Sequence, residues 1–376
     1  LAGEALLDLR FPKASRGQPH FEAVLKRVRR WLVALLEAPA ALTPRERAAA
    51  GDVLGRLGDP RPGVGVTVGA DGHPALPEMV WCEVPAGPFL MGSEAKDRKA
   101  YDHEKPQHEV DLPAFLIGRY PITNAQYRPF VEGGGYDQER YWTSDGWAWR
   151  LGESKPDLSP LDDIQDESVK RQYAEWLARR TVERRDRPFW WEHPRWGIPN
   201  RPVVGVSWYE ALAYCAWLEE TLEDGGTGWQ VWRDGQLAEM PAAAPGLQVR
   251  LPSEAEWEKA ARGVRGRRWP WGDQWAEGRA NTKESGIGET STVGCFPGAS
   301  PFGAVDMAGN VWEWTTTRWG RTSLYEPDYS YPYDAADGRE ELDGPDFRVV
   351  RGGSWNNSLR YARCAYRGGN FPDYYL

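Results

Sequence analysis

A chain of 376 residues with 41% hydrophobic content and 21 tryptophans has ample material for a core, and its length fits two domains or one large, elaborated domain. A net charge of −9 with no long run of one sign leaves no electrostatic footprint for nucleic acid. No apolar run reaches the ~18 residues that a membrane span needs, and four scattered cysteines without C-x-x-C spacing point to reduced thiols and a cytoplasmic setting rather than a disulfide framework.

Residues 1–20 carry no pattern and are expected to be poorly ordered. From Phe21 the apolar positions Val24, Leu25, Val28, Leu32, Leu35 and Leu36 recur at three and four, the stripe of an amphipathic helix ending near Ala38. Thr43-Pro44-Arg45-Glu46 is a capping box that opens a second helix, stopped by Gly58 and the breaker Asp59–Gly63. So short a helical pair makes a marginal core alone, so residues 1–77 read as a brace or linker. The main domain, 78–376, opens with an expected hairpin, Met79–Val84 against Phe89–Gly92, and His108–Leu112 and Phe115–Gly118 continue as strands. Capping boxes at Thr123, Ser207 and Ser253 start three helices, and Cys215 lies on the apolar face of the second, where a buried thiol is the default. Inserts fall at about 135–200, with a charged helix around Ser168–Arg185, and at about 222–248, a Gly/Trp-rich excursion. After Gly263 turn signals dominate, with apolar landmarks at Val311–Trp314 and Phe347–Val350. Short strands among a few short helices describe an irregular α+β domain. The last stretch, 348–376, is an apolar strand stopped by Gly352-Gly353 and followed by a tract of Asn, Ser, Tyr, Gly and Arg. That composition suits a binding surface better than proton transfer, although a polar, loop-rich C-terminus tied together by arginines would read the same way.

Several long motifs occur in order: Pro202–Trp208, Arg250–Trp257, Trp269-Pro270-Trp271-Gly272, Gly309–Trp314 and Arg351-Gly352-Gly353-Ser354-Trp355. Over residues 78–376 the chain resembles the formylglycine-generating enzyme, or sulfatase-modifying factor, family, and the resemblance implies an elaborated C-type lectin-like fold. The enzymes of that family carry a metal-binding cysteine pair after the Gly-Gly-Ser turn. Here the interval Trp355–Ala362 has none, so a metal-dependent oxidase is the weaker alternative. Related iron-dependent sulfoxide synthases add a His-rich helical domain, whereas His20, His73, His103, His108 and His193 show no paired helical spacing and read as structural.

The tail also resembles the variable region of diversity-generating-retroelement variable proteins, which display a hypervariable ligand-binding surface on this fold. From Asn356 to Leu376 there is no Trp, Met, Lys, Gln or Glu, types that such diversification of Asn codons does not produce. The resemblance implies a frame of Gly352, Gly353, Ser354, Trp355, Arg363, Ala365, Arg367 and Pro372. It places the variable, ligand-binding positions at Asn356, Asn357, Ser358, Tyr361, Gly368, Asn370, Phe371, Tyr374 and Tyr375, with the four aromatics as anchors. The expected partner is an unidentified protein or surface ligand, with neither nucleic acid nor membrane involved. No cofactor is required. The family likeness implies a calcium ion at Asp306, Gly309, Val311 and Glu313, with Asn281 near a second ion, while Glu313 pairing with an arginine such as Arg351 is the structural alternative. A fixed-partner effector or sensor domain of a larger signalling protein is a third reading, resting on the helical lead-in.

Overall fold

The computed structural model describes residues 2–38, 41–67, 76–154, 167–225, 230–239 and 247–375. In chain order it contains helices α1 (Ala2–Asp8), α2 (Phe11–Ala14), α3 (Pro19–Glu37) and α4 (Pro44–Leu57), then strands β1 (Val66–Thr67), β2 (Leu76–Pro77), β3 (Val80–Val84), β4 (Gly87–Met91), β5 (His108–Leu112) and β6 (Phe115–Gly118). Helices α5 (Asn124–Glu132), α6 (Ser144–Leu151), α7 (Glu167–Ala178) and α8 (Trp208–Gly225) follow, then β7 (Gln230–Arg233), β8 (Gln236–Glu239), α9 (Glu254–Arg262), β9 (Glu313–Gly320), β10 (Phe347–Arg351) and β11 (Gly368–Asn370). The architecture is α+β, as the motifs imply.

The expected helix starts form through their capping boxes. Thr43, Thr123 and Ser253 each accept from the backbone N–H three residues on, while Glu46, Gln126 and Glu256 reach back. Glu210 closes the same box on Ser207 at the head of α8. Residues 2–20 form α1, α2 and the start of α3, contrary to expectation. Leu6, Leu7 and Phe11 pack on Leu25, Val28 and Leu57, and these contacts come from α3 and α4, too distant in sequence to leave a local pattern. The helical lead-in packs on the main domain through Leu36, Ala48 and Leu54 against Cys295 and Phe296, and through a two-point Asp52–Arg201 pair.

The hairpin expected over 79–92 does not form. β4 pairs with β5 from Gly87↔Leu112 to Met91↔His108, whereas β3 is antiparallel to β6 and parallel to β7. Gly87, at φ 117, redirects the chain between them, a conformation open to glycine that sends β4 to another sheet. β5 and β6 therefore belong to different sheets. The excursion at 222–248 supplies the β7–β8 hairpin, which completes the four-stranded sheet β6-β3-β7-β8. Helix α6 was not expected. Thr143 caps it, in an insert whose tryptophans dominated the pattern.

The largest core cluster is aromatic. Tyr127, Phe130, Tyr136, Trp149, Trp191 and Trp208 interlock with Tyr214 and Trp314, which uses the tryptophans scattered along the sequence. Among the described residues no helix is long and apolar enough to cross a membrane.

Candidate functional site

The C-terminal tract hangs from the three-stranded sheet β11-β10-β9. After β10, Gly352 and Gly353 take φ 90 and 72. A Cβ on Gly353 would lie 3.0 Å from the Tyr361 backbone, so the turn needs glycine both for its conformation and for the close return of the chain. The loop beyond is held by its main chain. Trp355 N–H donates to Asn310 O (3.1 Å), Lys283 N–H to Asn357 O (2.9 Å), Tyr361 N–H to Ser358 O (2.9 Å) and Cys364 N–H to Arg268 O (2.9 Å).

Arginines clamp that backbone from below. Arg363 forms a two-point pair with Glu104, both contacts 2.6 Å, and Arg367 donates to Glu254 Oε1 at 2.6 Å, with all four side chains buried. Arg351 bonds to Glu258 and to Cys364 O. Burial pushes the Glu258 carboxyl up, but Arg351 and Arg262 overcome it and hold it below the usual carboxylate range. Sequence reasoning named Arg363 and Arg367 as frame but missed Glu104, Glu254 and Glu258, since nothing local marks a carboxylate that meets an arginine more than ninety residues away.

Of the nine positions named as ligand contacts, Asn356 is exposed, and Asn357, Ser358, Tyr361, Gly368, Asn370 and Tyr374 are half-buried. Phe371 and Tyr375, expected as surface anchors, are instead buried. Phe371 is 2% exposed and packs with Trp319, Phe347 and Val349. Tyr375 is 1% exposed, stacks on Trp176 and Phe189, and donates its hydroxyl to Trp176 O at 2.6 Å. Both became core because apolar surface from β9, β10 and the 135–200 insert closes over them. The insert reaches the tract, a contact its sequence does not announce. Trp176 lies between the rings of Tyr374 and Tyr375, at 3.5 and 3.4 Å between centroids.

The motif around Gly309 holds two carboxylates. Asp306, at φ 60, accepts from Gly294 N–H (2.6 Å), and burial pushes its carboxyl up to about 6. Glu313 accepts from Trp257 Nε1 (2.8 Å), and burial, reinforced by the negative charge of Asp306, raises it to about 7. The alternative pairing of Glu313 with Arg351 does not occur, because Arg351 is engaged by Glu258 and lies 3.6 Å from Glu254. Asn281 is fully buried, donates to Glu289 O (2.8 Å) and accepts from Ser285 Oγ (2.9 Å), so its amide is committed within the scaffold. Among the described residues no three His, Cys, Asp or Glu side chains form a metal-holding group, so a cation here would need the Gly309 and Val311 carbonyls as well.

Cys82, Cys295 and Cys364 are buried, Cys215 is half-buried, and all four are free. Burial lifts Cys82 to about 11 and the other three to about 12, so each is a neutral thiol near pH 7. His108 is satisfied through Pro106 O and Tyr333 N–H. His103 lies in a one-turn segment before β5, not on that strand, stacked on Tyr101 with its pKa lowered to about 4 by burial. His73 lies outside the described residues.

The sulfatase-modifying factor enzyme 1-like domain model matches residues 67–375. The chain is 34% identical over 309 residues to the hercynine oxygenase of Mycolicibacterium smegmatis, covering 77% of this chain but 57% of that protein, so it spans about half the length of such relatives. It is 31% identical over 323 residues to the inactive C-alpha-formylglycine-generating enzyme 2 of Mus musculus, covering 80% of this chain and 83% of that one. Among solved structures, Treponema denticola variable protein 1 aligns over 83% of this chain and 95% of its own at 20% identity, with a TM-score of 0.47. With a family model matched across most of its length, the chain belongs to the sulfatase-modifying factor enzyme 1-like domain family, on a formylglycine-generating-enzyme-type C-type lectin-like fold.

Proposed function

We propose that this chain is a non-enzymatic binding module whose C-terminal tract presents a replaceable ligand surface, diversified by a retroelement, to a protein or surface ligand. The observation that carries the reading is the division within one tract. Ala362, Arg363, Cys364, Ala365 and Arg367 are buried, whereas Asn356, Asn357, Ser358, Tyr361, Gly368, Asn370 and Tyr374 lie at or near the surface on a backbone held by main-chain bonds and buried ion pairs. Such a backbone depends little on the side chains that would change. Sequencing the coding region across a natural population tests this. Variation is expected at those seven positions, with a near-identical downstream repeat differing at adenines, and an invariant tail without a repeat would refute diversification. Tyr361→Ala removes an edge contact with Tyr366 at 4.9 Å and should cost no more than about 1.5 kcal/mol of stability while weakening binding to a selected partner at least tenfold.

The 34% identity to hercynine oxygenases favours a second, enzymatic reading. The protonated thiols oppose cysteine-based chemistry. No turnover of hercynine with iron(II) and oxygen is expected of this chain, and measurable product would replace the binding reading with an oxygenase.

We also propose a structural calcium ion held by Asp306, Glu313 and the Gly309 and Val311 carbonyls. Two neighbouring carboxylates whose pKa values are raised by burial are the donor chemistry a hard cation relieves. Nearby Arg61 is engaged by Asp59 at 2.7 Å.

A further inference from the structure

The 135–200 insert and the C-terminal tract enclose a cleft of about 490 Å³, within the size range of small-ligand pockets, roughly 300–1,000 Å³. Its walls are Trp176, Trp190 and Trp196 from the insert and Trp312, Trp355 and Tyr374 from the domain. Trp176 is fixed between two tyrosines, and Trp196 stacks beside Trp355 with centroids 5.8 Å apart and rings inclined by 27°. Ser354 and Asn356 bring a hydroxyl and an amide to the same space, whereas the Asn310 amide is buried and bonded to Ser291, and none of the described lining residues is charged.

Charge decides what fits. Arg195 approaches the Trp196 ring at 4.9 Å but is paired with Glu289 at 2.5 Å, and Arg180 approaches the Tyr375 ring at 5.4 Å but is paired with Glu210. An anionic ligand would therefore meet no free counter-charge and would shed hydration without a partner, and a cation would meet competing guanidinium groups at two of the lining rings, Trp196 and Tyr375. A neutral planar ring loses little hydration and gains offset or edge contacts with the walls.

We infer that this cleft binds an uncharged aromatic ring, with the Asn356 amide and Ser354 hydroxyl orienting its polar substituents. The inference rests on the binding-module reading and names the ligand class of one part of that surface. The ring has two possible sources, a free aryl compound or an aromatic side chain on a partner protein.

Saturation-transfer NMR with N-acetylphenylalanine amide, benzoate, choline and methyl glucoside tests the class. Saturable binding is expected for the neutral ring, at least fivefold tighter than for the other three probes. Trp196→Ala should weaken it at least fivefold. Asn356→Arg, a change at an exposed position that does not threaten folding, should do the same by placing a bulky charge at the rim. No binding of the neutral ring, tighter binding of any other probe, or indifference to Asn356→Arg overturns the inference. A short peptide carrying one Phe, bound at least tenfold tighter than the amide and lost on Phe→Ala, assigns the ring to a partner's side chain; equal or weaker binding assigns it to a free aryl compound. Tyr361 and Asn370 lie outside the cleft, so loss of partner binding on their replacement with ring binding intact, or the reverse, separates failure of this inference from failure of the binding-module reading.

Discussion

Glu254→Ala is expected to destabilise the protein by about 3–5 kcal/mol, the cost of removing one partner from a buried ion pair. Glu254 is fully buried at the first turn of α9, where the helix dipole favours its charge. It accepts from Arg367 at 2.6 Å, lies 3.6 Å from an Arg351 nitrogen and 4.0 Å from one of Arg339, and stands 3.4 Å from the Tyr331 hydroxyl. Arg351 keeps Glu258 and Arg339 keeps Asp337 after the substitution. For Arg367 the remaining hydrogen bond goes to a neutral acceptor, Tyr329 O at 3.1 Å, so a buried guanidinium loses its counter-charge. Urea unfolding read by tryptophan fluorescence measures the loss. Glu132→Ala, which breaks the exposed Arg128–Glu132 pair, should cost less than about 1 kcal/mol. A loss that small for Glu254→Ala would mean that the network is not coupled to folding. Because Arg367 lies inside the C-terminal tract, Glu254→Ala should remove partner binding together with stability, whereas Tyr361→Ala separates the two.

What the sequence disclosed follows from what is local. Capping boxes at Thr43, Thr123, Ser207 and Ser253 bond within four residues, and each helix begins where its box lies. Pairing choices are not local. β4 carries the alternation of a strand wherever its partner is, and nothing within 79–92 distinguishes β3 from β5 as that partner. In the tract, the Gly-Gly turn and the arginines were legible because chain reversal and buried charge restrict residue type. Phe371 and Tyr375 were read as surface anchors because an aromatic in a polar tract has the same appearance whether or not a distant insert covers it. Trp176, which covers Tyr375, carries no signal of where its helix docks. The wall of the cleft was therefore invisible before folding, although every tryptophan in it could be counted.

The carboxylates at Asp306 and Glu313 are expected to make stability depend on pH and, under the proposed calcium site, on calcium. Their pKa values rise on folding, from 3.8 to about 6 and from 4.5 to about 7, so the folded protein binds these protons more tightly than the unfolded chain. The associated stability is fully present below the unfolded values and is lost as pH rises through 6 to 7, a cost on the order of 3 kcal/mol per carboxylate. With chelator present, the Asp306→Asn, Glu313→Gln double variant should be more stable than the parent at pH 8. That advantage should vanish near pH 3, below both unfolded values, where the parent carboxyls are largely protonated in both states. Calcium should narrow the gap at pH 8. Ionised carboxylates are its ligands, so binding stabilises the parent by about 2.7 kcal/mol when free calcium is 100-fold above its dissociation constant, while the variant should not respond. Thermal unfolding of both proteins at pH 3 and 8, with EDTA and with calcium, separates the contributions. A parent melting temperature that ignores calcium at pH 8 would remove the ion and leave a pair of buried acids that act as a pH-dependent weak point beneath the binding surface.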